Sequence, residues 1–423
     1  MLDLKFIRQH AELVKAGASK KRIACDVDRI LELDAEIRRI KFDAESKKAE
    51  QNAKTKEIPK LDGDAKKQTI AAMKALGDEQ KALVSSSKEI EQQLHALMLQ
   101  VPNLPAPEVP DGADDTENVE LRSNGELPKF DFEPKSHLEL GELHDMLEFE
   151  RASKIAGSRT YFLRNAACLL EFSVLRMALD YMVERGYTPM IVPNLVRHET
   201  MTGTGYFPGG EDQAYCTERD DLYLIGTSEV PLTAFHRGEI LDEADLPIKV
   251  CGWSNCYRRE AGAAGRDTKG LYRIHQFQKI EQVVLAPNDE EQSKVLHEEI
   301  LNNAEAVLQK LELPYRVVNV CGGDLGAGQV QKFDIETWMP SRQSYSETHS
   351  ASRFYEFQAR RLDLRYRDSE GKVRFCHTLN NTVIASPRVL IPLLENHQQK
   401  DGSIKIPQAL QPYMGGQEIL EPK

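Results

Sequence analysis

From Val27 to Gln100 the apolar positions repeat at heptad spacing. Ile30, Ile37 and Ala44 recur every seven residues, with Leu33 and Ile40 offset by three. Further along, Leu76, Leu83, Ile90 and Leu97 form one row, and Met73 and Leu94 belong to another. Between the two runs lies EIPKLDGD, residues 57 to 64, whose Pro and Gly favour a chain reversal. The pattern predicts an antiparallel helical hairpin with the character of a coiled coil. At about 1.5 Å per residue, arms of roughly 30 residues extend about 45 Å. The apolar rows fade toward the turn, where Lys47, Gln51 and Lys54 stand in one helix and Gln80 and Ser87 in the other. Core packing alone does not stiffen that distal part.

Beyond the hairpin, VPNLPAPEVPDGADDTE is rich in Pro and acid and reads as extended chain, giving a linker at 106–130 between an N-terminal domain (1–105) and a large domain (131–423). The large domain predicts one helix near Cys168 to Arg185 and many short strands. Strands and helices do not alternate strictly, so the fold class is α+β on an antiparallel sheet flanked by helices. Period-2 alternation over 271–284 places Phe277, Lys279, Glu281 and Val283 on one strand face and Gln278, Ile280, Gln282 and Val284 on the other. The preceding run groups Cys256, Arg258 and Glu260 in the same way, and the glycines of AGAAGRDTKG between them mark a mobile turn. The run GGDLGAG at 322–328 lacks the Lys-Ser/Thr ending of a phosphate loop and reads as a plain turn.

Charge changes this picture in two places. The chain of 423 residues is acidic overall, with 67 Asp and Glu against 55 Lys and Arg. Yet residues 38 to 74 hold eleven basic against six acidic side chains, whereas 108 to 150 hold three against fourteen. A solvated coiled coil and a basic finger that touches a nucleic-acid backbone both fit this distribution. No apolar run approaches the roughly 20 residues of a membrane span. The N-terminus has no apolar signal core, so the expected compartment is the cytoplasm. The seven cysteines form no C-x-x-C pair, and nothing near Cys251 and Cys256 completes a zinc site.

The second place is the stretch from Trp253 to Val284, where Arg258, Glu260, Phe277 and Glu281 share a face. At roughly 3.3 Å per residue, Phe277 and Glu281 stand about 13 Å apart. Such a face suits an elongated ligand with a flat ring, an anionic centre and an amine or hydroxyl. An aminoacyl-adenylate has all of these.

Six stretches then resemble, in order, the motifs of one family. They are GYTPMIVPNLV, LIGTSEVPLTAFHRGEIL, YRREAGAAGRDTKGLYRIHQFQKIE, FDIETWMP, ETHSASRFYEFQARRLDLRYR and LNNTVIASPRVLIPLLENHQQKDGSIKIPQALQPYM. Together with the helical hairpin they resemble the seryl-tRNA synthetases of the class II fold. The resemblance implies ATP-dependent activation of L-serine and its transfer to tRNA(Ser), with tRNA(Sec) left open as a further acceptor. It implies a homodimer, the first stretch building its interface, and no membrane association.

Residue by residue, the resemblance makes Arg258, Arg388 and Glu347 catalytic. ATP would meet Arg258, Arg259, Glu260, Phe277, Glu347, Thr348, His349, Ser350 and Arg388. Serine would meet Thr227, Ser228, Glu229, Arg258, Glu281, Asn380 and Thr382. Mg²⁺ would arrive with ATP at Glu347 and Ser350, and no zinc is expected. The tRNA would meet Arg38, Arg39, Lys41, Lys47, Lys48, Lys54, Lys66 and Lys67 on the arm, and Arg266 and Lys269 in the loop.

Several positions depart from the family pattern: Tyr257 and Arg259 stand where Phe and Ser are usual, His349 and Arg353 where small or neutral residues are usual, Thr382 where Ser and Pro387 where Gly is usual, and Asn381 replaces a Gly, a change that left-handed backbone would accommodate. A noncatalytic, synthetase-like RNA-binding or scaffolding protein is the alternative from another class. A ligase for a carrier protein is disfavoured by the hairpin.

Overall fold

The computed structural model of the chain describes residues 1–262, 265 and 269–423. They divide into two compact units, Met1–Ser19 with Ile23–Pro102, and Lys20–Arg22 with Asn103–Lys423.

The first unit opens with two short helices, α1 (Leu4–Gln9) and α2 (Ala11–Lys20). The heptad run forms α3 (Val27–Glu57) and α4 (Gly63–Gln100), joined through a 3-10 turn at Ile58–Lys60. Asp26 starts α3 by accepting a hydrogen bond from the amide of Arg29 at 2.9 Å, which satisfies one of the helix's free N–H groups. A small core of Ile7, Val14, Val27, Ile30, Met98 and Val101 forms the base of this unit. Along α3 the buried row continues through Leu33, Ile37 and Ile40 and ends at Ala44. Beyond it the helices meet through polar contacts, such as Gln51 Nε2 donating to the Met73 carbonyl at 3.1 Å. The apolar seam therefore stops where the sequence pattern fades.

The second unit is built on a sheet of eight strands: β1 (Val119–Asn124), β2 (Thr188–Ile191), β3 (Ile248–Tyr257), β4 (Gln276–Ala286), β5 (Tyr315–Asn319), β6 (Gln331–Met339), β7 (Ser344–Tyr355) and β8 (His377–Ser386). Their order is β1-β5-β6-β7-β8-β4-β3-β2. Every neighbouring pair is antiparallel except β2 with β3. Helices α5 (Asn165–Glu184) and α6 (Glu290–Lys310) contribute Leu170, Val174, Ala178, Ile300 and Val307 to the main core, where Ile280 and Val284 of β4 meet them. Val283 and Leu285 belong to a second core, so the alternation expected for β4 is present.

The expected linker is not loose chain. Ala106 and Val109 are buried with Val320, Leu325 and Val330, and Val119–Asn124 forms the edge strand β1. Composition misled here because strand pairing uses the backbone: all six β1 side chains are exposed, so burial left no periodic signal. A second correction concerns Asn381, which lies within β8 in extended backbone rather than in the left-handed region. Its side chain points toward α6, where Nδ2 donates to the Ile300 carbonyl at 2.7 Å.

Two register shifts in the sheet decide which side chains share a face. Between β6 and β7, Ile335 pairs with His349 and Glu336 with Glu347, so Thr348 is an extra residue. Between β4 and β8, Ile280 pairs with Ile384 and Glu281 with Thr382, which makes Val383 extra. An extra residue reverses the alternation beyond it. Glu347 and Ser350, three positions apart, thereby reach one side of the sheet.

Candidate active site

A cavity of about 340 Å³ opens over the face of the sheet that carries Phe277, Lys279 and Glu281. Arg258, Glu260, Glu347, Thr348, His349, Ser350, Asn380, Thr382, Arg388 and Glu229 also line it, so most of the expected set is brought together.

The polar groups that line the cavity fall into two sets. In the first, Glu281 is almost fully buried and ion-paired with Lys279. The Thr382 hydroxyl donates to Glu281 Oε2 at 3.3 Å. Glu229, at the start of the short helix Glu229–Thr233, accepts from the Tyr206 hydroxyl at 2.8 Å and from Gln358 Nε2 at 2.7 Å. Burial, reinforced by the nearby charge of Glu281, raises the Glu229 carboxyl to about 7. The buried Asn380 Nδ2 has no hydrogen-bond partner among the described residues, which leaves a donor available in this set. Here the site offers carboxylates, hydroxyls and an amide to a small polar molecule bearing an ammonium group.

In the second the groups are cationic and aromatic. The Arg258 guanidinium lies 5.1 Å from the Phe277 ring centre, and its Nε approaches the Gly226 carbonyl at 3.4 Å. Arg388 donates to the carbonyls of Tyr272 and Glu347, both at 3.1 Å, and lies over the Tyr272 ring at 4.7 Å. Glu260 has a positive φ of 54° and accepts from Arg273 at 2.5 Å. Flat cations next to aromatic rings form a slot for a heterocycle and its phosphates.

Near Glu347 and Ser350, strand β6 places Asp334 opposite Ser350. Burial raises its carboxyl to about 7, against the opposing pull of Lys332 at 3.2 Å. Asp334 Oδ1 is buried without a hydrogen-bond partner among the described residues. Among the described residues no three His, Cys, Asp or Glu side chains form a complete metal-holding group. The oxygen donors present suit a hard divalent cation that takes its remaining ligands from phosphates.

The chain matches known proteins along its whole length. Residues 1–105 match the Seryl-tRNA synthetase N-terminal domain, and residues 215–397 match the tRNA synthetase class II core domain (G, H, P, S and T). The Serine–tRNA ligase of Deinococcus radiodurans is 49% identical over 420 residues, 99% of each chain. This chain belongs to the seryl-tRNA synthetase family. Among solved structures, the seryl-tRNA synthetase from Pyrococcus horikoshii complexed with ATP superposes with a TM-score of 0.94 at 39% identity, covering 100% of both chains. The cytoplasmic Serine-tRNA ligase from Naegleria fowleri in complex with AMP gives 0.90 at 32% identity, over 100% of this chain and 99% of that one.

Several expected synthetase residues lie elsewhere. Thr227, Ser228 and Arg259 do not line the cavity. The Thr227 hydroxyl accepts from the Glu229 amide at 3.1 Å, and the Ser228 hydroxyl donates to the Gly252 carbonyl at 3.2 Å, so both brace the turn that presents Glu229. His349 lines the cavity but cannot serve as a phosphate cation. Its ring nitrogens meet the Thr348 hydroxyl at 2.8 Å and the Val383 carbonyl at 3.0 Å, and burial lowers it to about 4. Arg353 is fully buried, with Nη2 bonded to Gln331 at 2.9 Å and paired with Glu108 at 3.3 Å.

On the arm, Lys41, Lys47, Lys54 and Arg38 are paired with Glu91, Glu79, Glu50 and Asp34. Lys67 approaches Asp64 loosely at 3.9 Å. Arg39, Lys48 and Lys66 have no carboxylate within 4.0 Å among the described residues. Lys269 is exposed, and Arg266 lies outside the described residues.

Tyr206, Gln358, Lys279 and Tyr272 had no expected role, and 322–328 was expected to be a plain turn, although Gly326, Ala327 and Gly328 line the cavity together with Gln329. Lys279 was visible on the correct strand face. Nothing local marked the others.

Proposed function

We propose that this seryl-tRNA synthetase family member activates L-serine with ATP in the cavity and passes the serine to the 3′ end of tRNA(Ser). The observation that carries the reading is that one cavity brings Arg258, packed over the Phe277 ring, together with Glu229, Glu281 and Thr382 and with Glu347 and Arg388. In the first step a serine carboxylate oxygen bonds to the α-phosphorus of ATP and pyrophosphate leaves. In the second, a terminal ribose hydroxyl of the tRNA takes the acyl group and AMP leaves. The attacking carboxylate is already ionised near pH 7, so the main barrier is the approach of two anions. A guanidinium facing both offsets that repulsion, and its planar fork can hold an oxygen of each.

Phe277 and Arg388 would flank the adenine, and Glu260 would meet its edge. Glu281, Glu229, Asn380 and Thr382 would hold the serine ammonium and hydroxyl. Glu347 and Ser350 would hold Mg²⁺ carried with ATP, and such an ion offsets the charge of the phosphates when bound. A homodimer is supported by apolar side chains left exposed on α5 and β2: Leu169, Phe172 and Ile191, the last 94% exposed. No helix among the described residues is long and apolar enough to cross a membrane, in keeping with a cytoplasmic enzyme. The noncatalytic alternative gains nothing from the relatives, which carry the name of the ligase.

The test is serine-dependent ATP–pyrophosphate exchange without tRNA. Exchange is expected with serine and to be at least a hundredfold weaker with alanine, because a pocket built to bond a hydroxyl is left with unpaired groups. Equal exchange with both, or none with serine, would overturn the reading.

Glu229 adds a pH signature. A carboxyl held up at about 7 is neutral below that pH and charged above it. The serine ammonium binds the charged form, so kcat/KM for serine is expected to fall as pH drops from 8 to 6, approaching about tenfold per unit on the acid side. Glu229→Gln should lower kcat/KM at pH 8 by about thirtyfold and flatten this limb. A limb that survives the substitution would remove Glu229 from serine binding.

A further inference from the structure

One buried cation falls outside the machinery described so far. Lys21, in the turn after α2, is only 2% exposed, and its ammonium donates to the carbonyls of Gly326 at 3.1 Å, Ala327 at 3.0 Å and Gln329. No carboxylate lies within 4.0 Å of it among the described residues, and burial lowers it to about 7. A buried charge is costly unless its partners are well placed. Here every partner is a backbone carbonyl of the segment 326–329, which forms part of the cavity wall.

The same segment is held from a second side. The Asn103 amide donates to the Ala327 carbonyl at 2.8 Å, and Asn103 Nδ2 donates to the carbonyls of Gly328 at 3.2 Å and Phe354 at 2.8 Å. Lys21 and Asn103 belong to the catalytic unit, although in the chain they bracket the hairpin helices. Within the segment, Gln329 accepts from the Gly326 amide at 2.7 Å and donates to the Ser352 hydroxyl at 2.8 Å. A Cβ at Gly328 would lie 2.8 Å from the Phe357 ring, so the wall is pressed against that side chain. The next residue, Gln358, donates to Glu229. The segment is thus linked, through Phe357 and Gln358, to Glu229 among the acidic groups of the cavity.

We propose that Lys21 is a positioning residue for the amino-acid end of the site: its ammonium draws together the carbonyls of Gly326, Ala327 and Gln329 and so sets the wall that closes on the substrate side chain. Three carbonyl dipoles converging on one point repel each other without a cation between them. The inference rests on the reading of this cavity as a serine and ATP site.

The test is Lys21→Met, which keeps the apolar stem and removes every donor, assayed by pyrophosphate exchange with serine and ATP varied separately. The expected result is a serine KM raised about tenfold or more, with the ATP KM and kcat within about twofold. Unchanged serine KM would overturn the assignment. Parallel loss on both substrates, with a lowered melting temperature, would also overturn it by showing general destabilisation. Asn103→Ala decides the matter if Lys21→Met does not fold: it should give the same KM split at about threefold, and an unchanged serine KM there rejects the inference. Wild-type protein without serine-dependent exchange would instead fail the reading of the site itself.

Discussion

Replacing Arg258 by alanine is expected to lower serine-dependent pyrophosphate exchange about a thousandfold while leaving the fold intact. Removing one preorganised donor to developing charge typically costs about a hundred- to a thousandfold in rate. Under the proposed reading Arg258 would face two anions at once, which puts the expectation at the upper end. Its own attachments are slight: the side chain is exposed and, among the described residues, makes one hydrogen bond of 3.4 Å and one ring contact. Stability should therefore change by no more than about 0.5 kcal/mol, the usual range for surface positions. Arg258→Lys keeps the charge but loses the fork, and should fall between the two at about thirtyfold to a hundredfold. Exchange that stays within tenfold of wild type in the alanine variant would remove Arg258 from the reaction.

Deletion of residues 35 to 93 with a short splice should leave exchange within about threefold and lower tRNA charging more than a thousandfold, measured at equal salt. The splice keeps the base of the first unit, since Ile7, Val14, Val27, Ile30, Met98 and Val101 all lie outside the deleted segment. Asp34 also stays, with its 3.5 Å pairing to Arg8. What is lost is the reach of α3 and α4 and the basic stretch they carry. Of the arm residues expected to meet tRNA, Arg39, Lys48 and Lys66 would meet a phosphate backbone without first breaking an ion pair. Exposed ion pairs are weak, so Lys41 and Lys47 can also exchange partners at small cost. Equal loss of exchange and charging in a folded deletion protein would sink the assignment of the arm to tRNA.

Much of this architecture was legible before any coordinates. The hairpin was readable because helical periodicity is a property of a short window: the rows of Ile30, Ile37 and Ala44 and of Leu83, Ile90 and Leu97 need no knowledge of the rest of the chain. The face of β4 was readable for the same reason, and Phe277, Lys279 and Glu281 do line the cavity together. Edge strand β1 was hidden because its place in the sheet is fixed by backbone pairing with β5, which leaves no side-chain pattern. Thr227, Ser228 and Arg259, expected at the site from the resemblance, do not line the cavity, because which way a turn aims its side chains is not written in residue type.

The amino-acid sequence by itself determined the helical arm, the cavity-facing alternation of β4, much of the chemical inventory of the site and the family to which the chain belongs, because each of these is written in residue type and spacing. Only the tertiary structure decided which members of that inventory meet. A bulge exists only relative to a partner strand, so the extra residues Thr348 and Val383 could not be seen in β7 or β8 alone, yet they bring Glu347 beside Ser350 and Thr382 beside Glu281. In the same way, a lysine 305 residues from Gly326 in the chain becomes the cation at the back of the cavity wall. That contact depends on packing, and packing is decided by the whole chain at once.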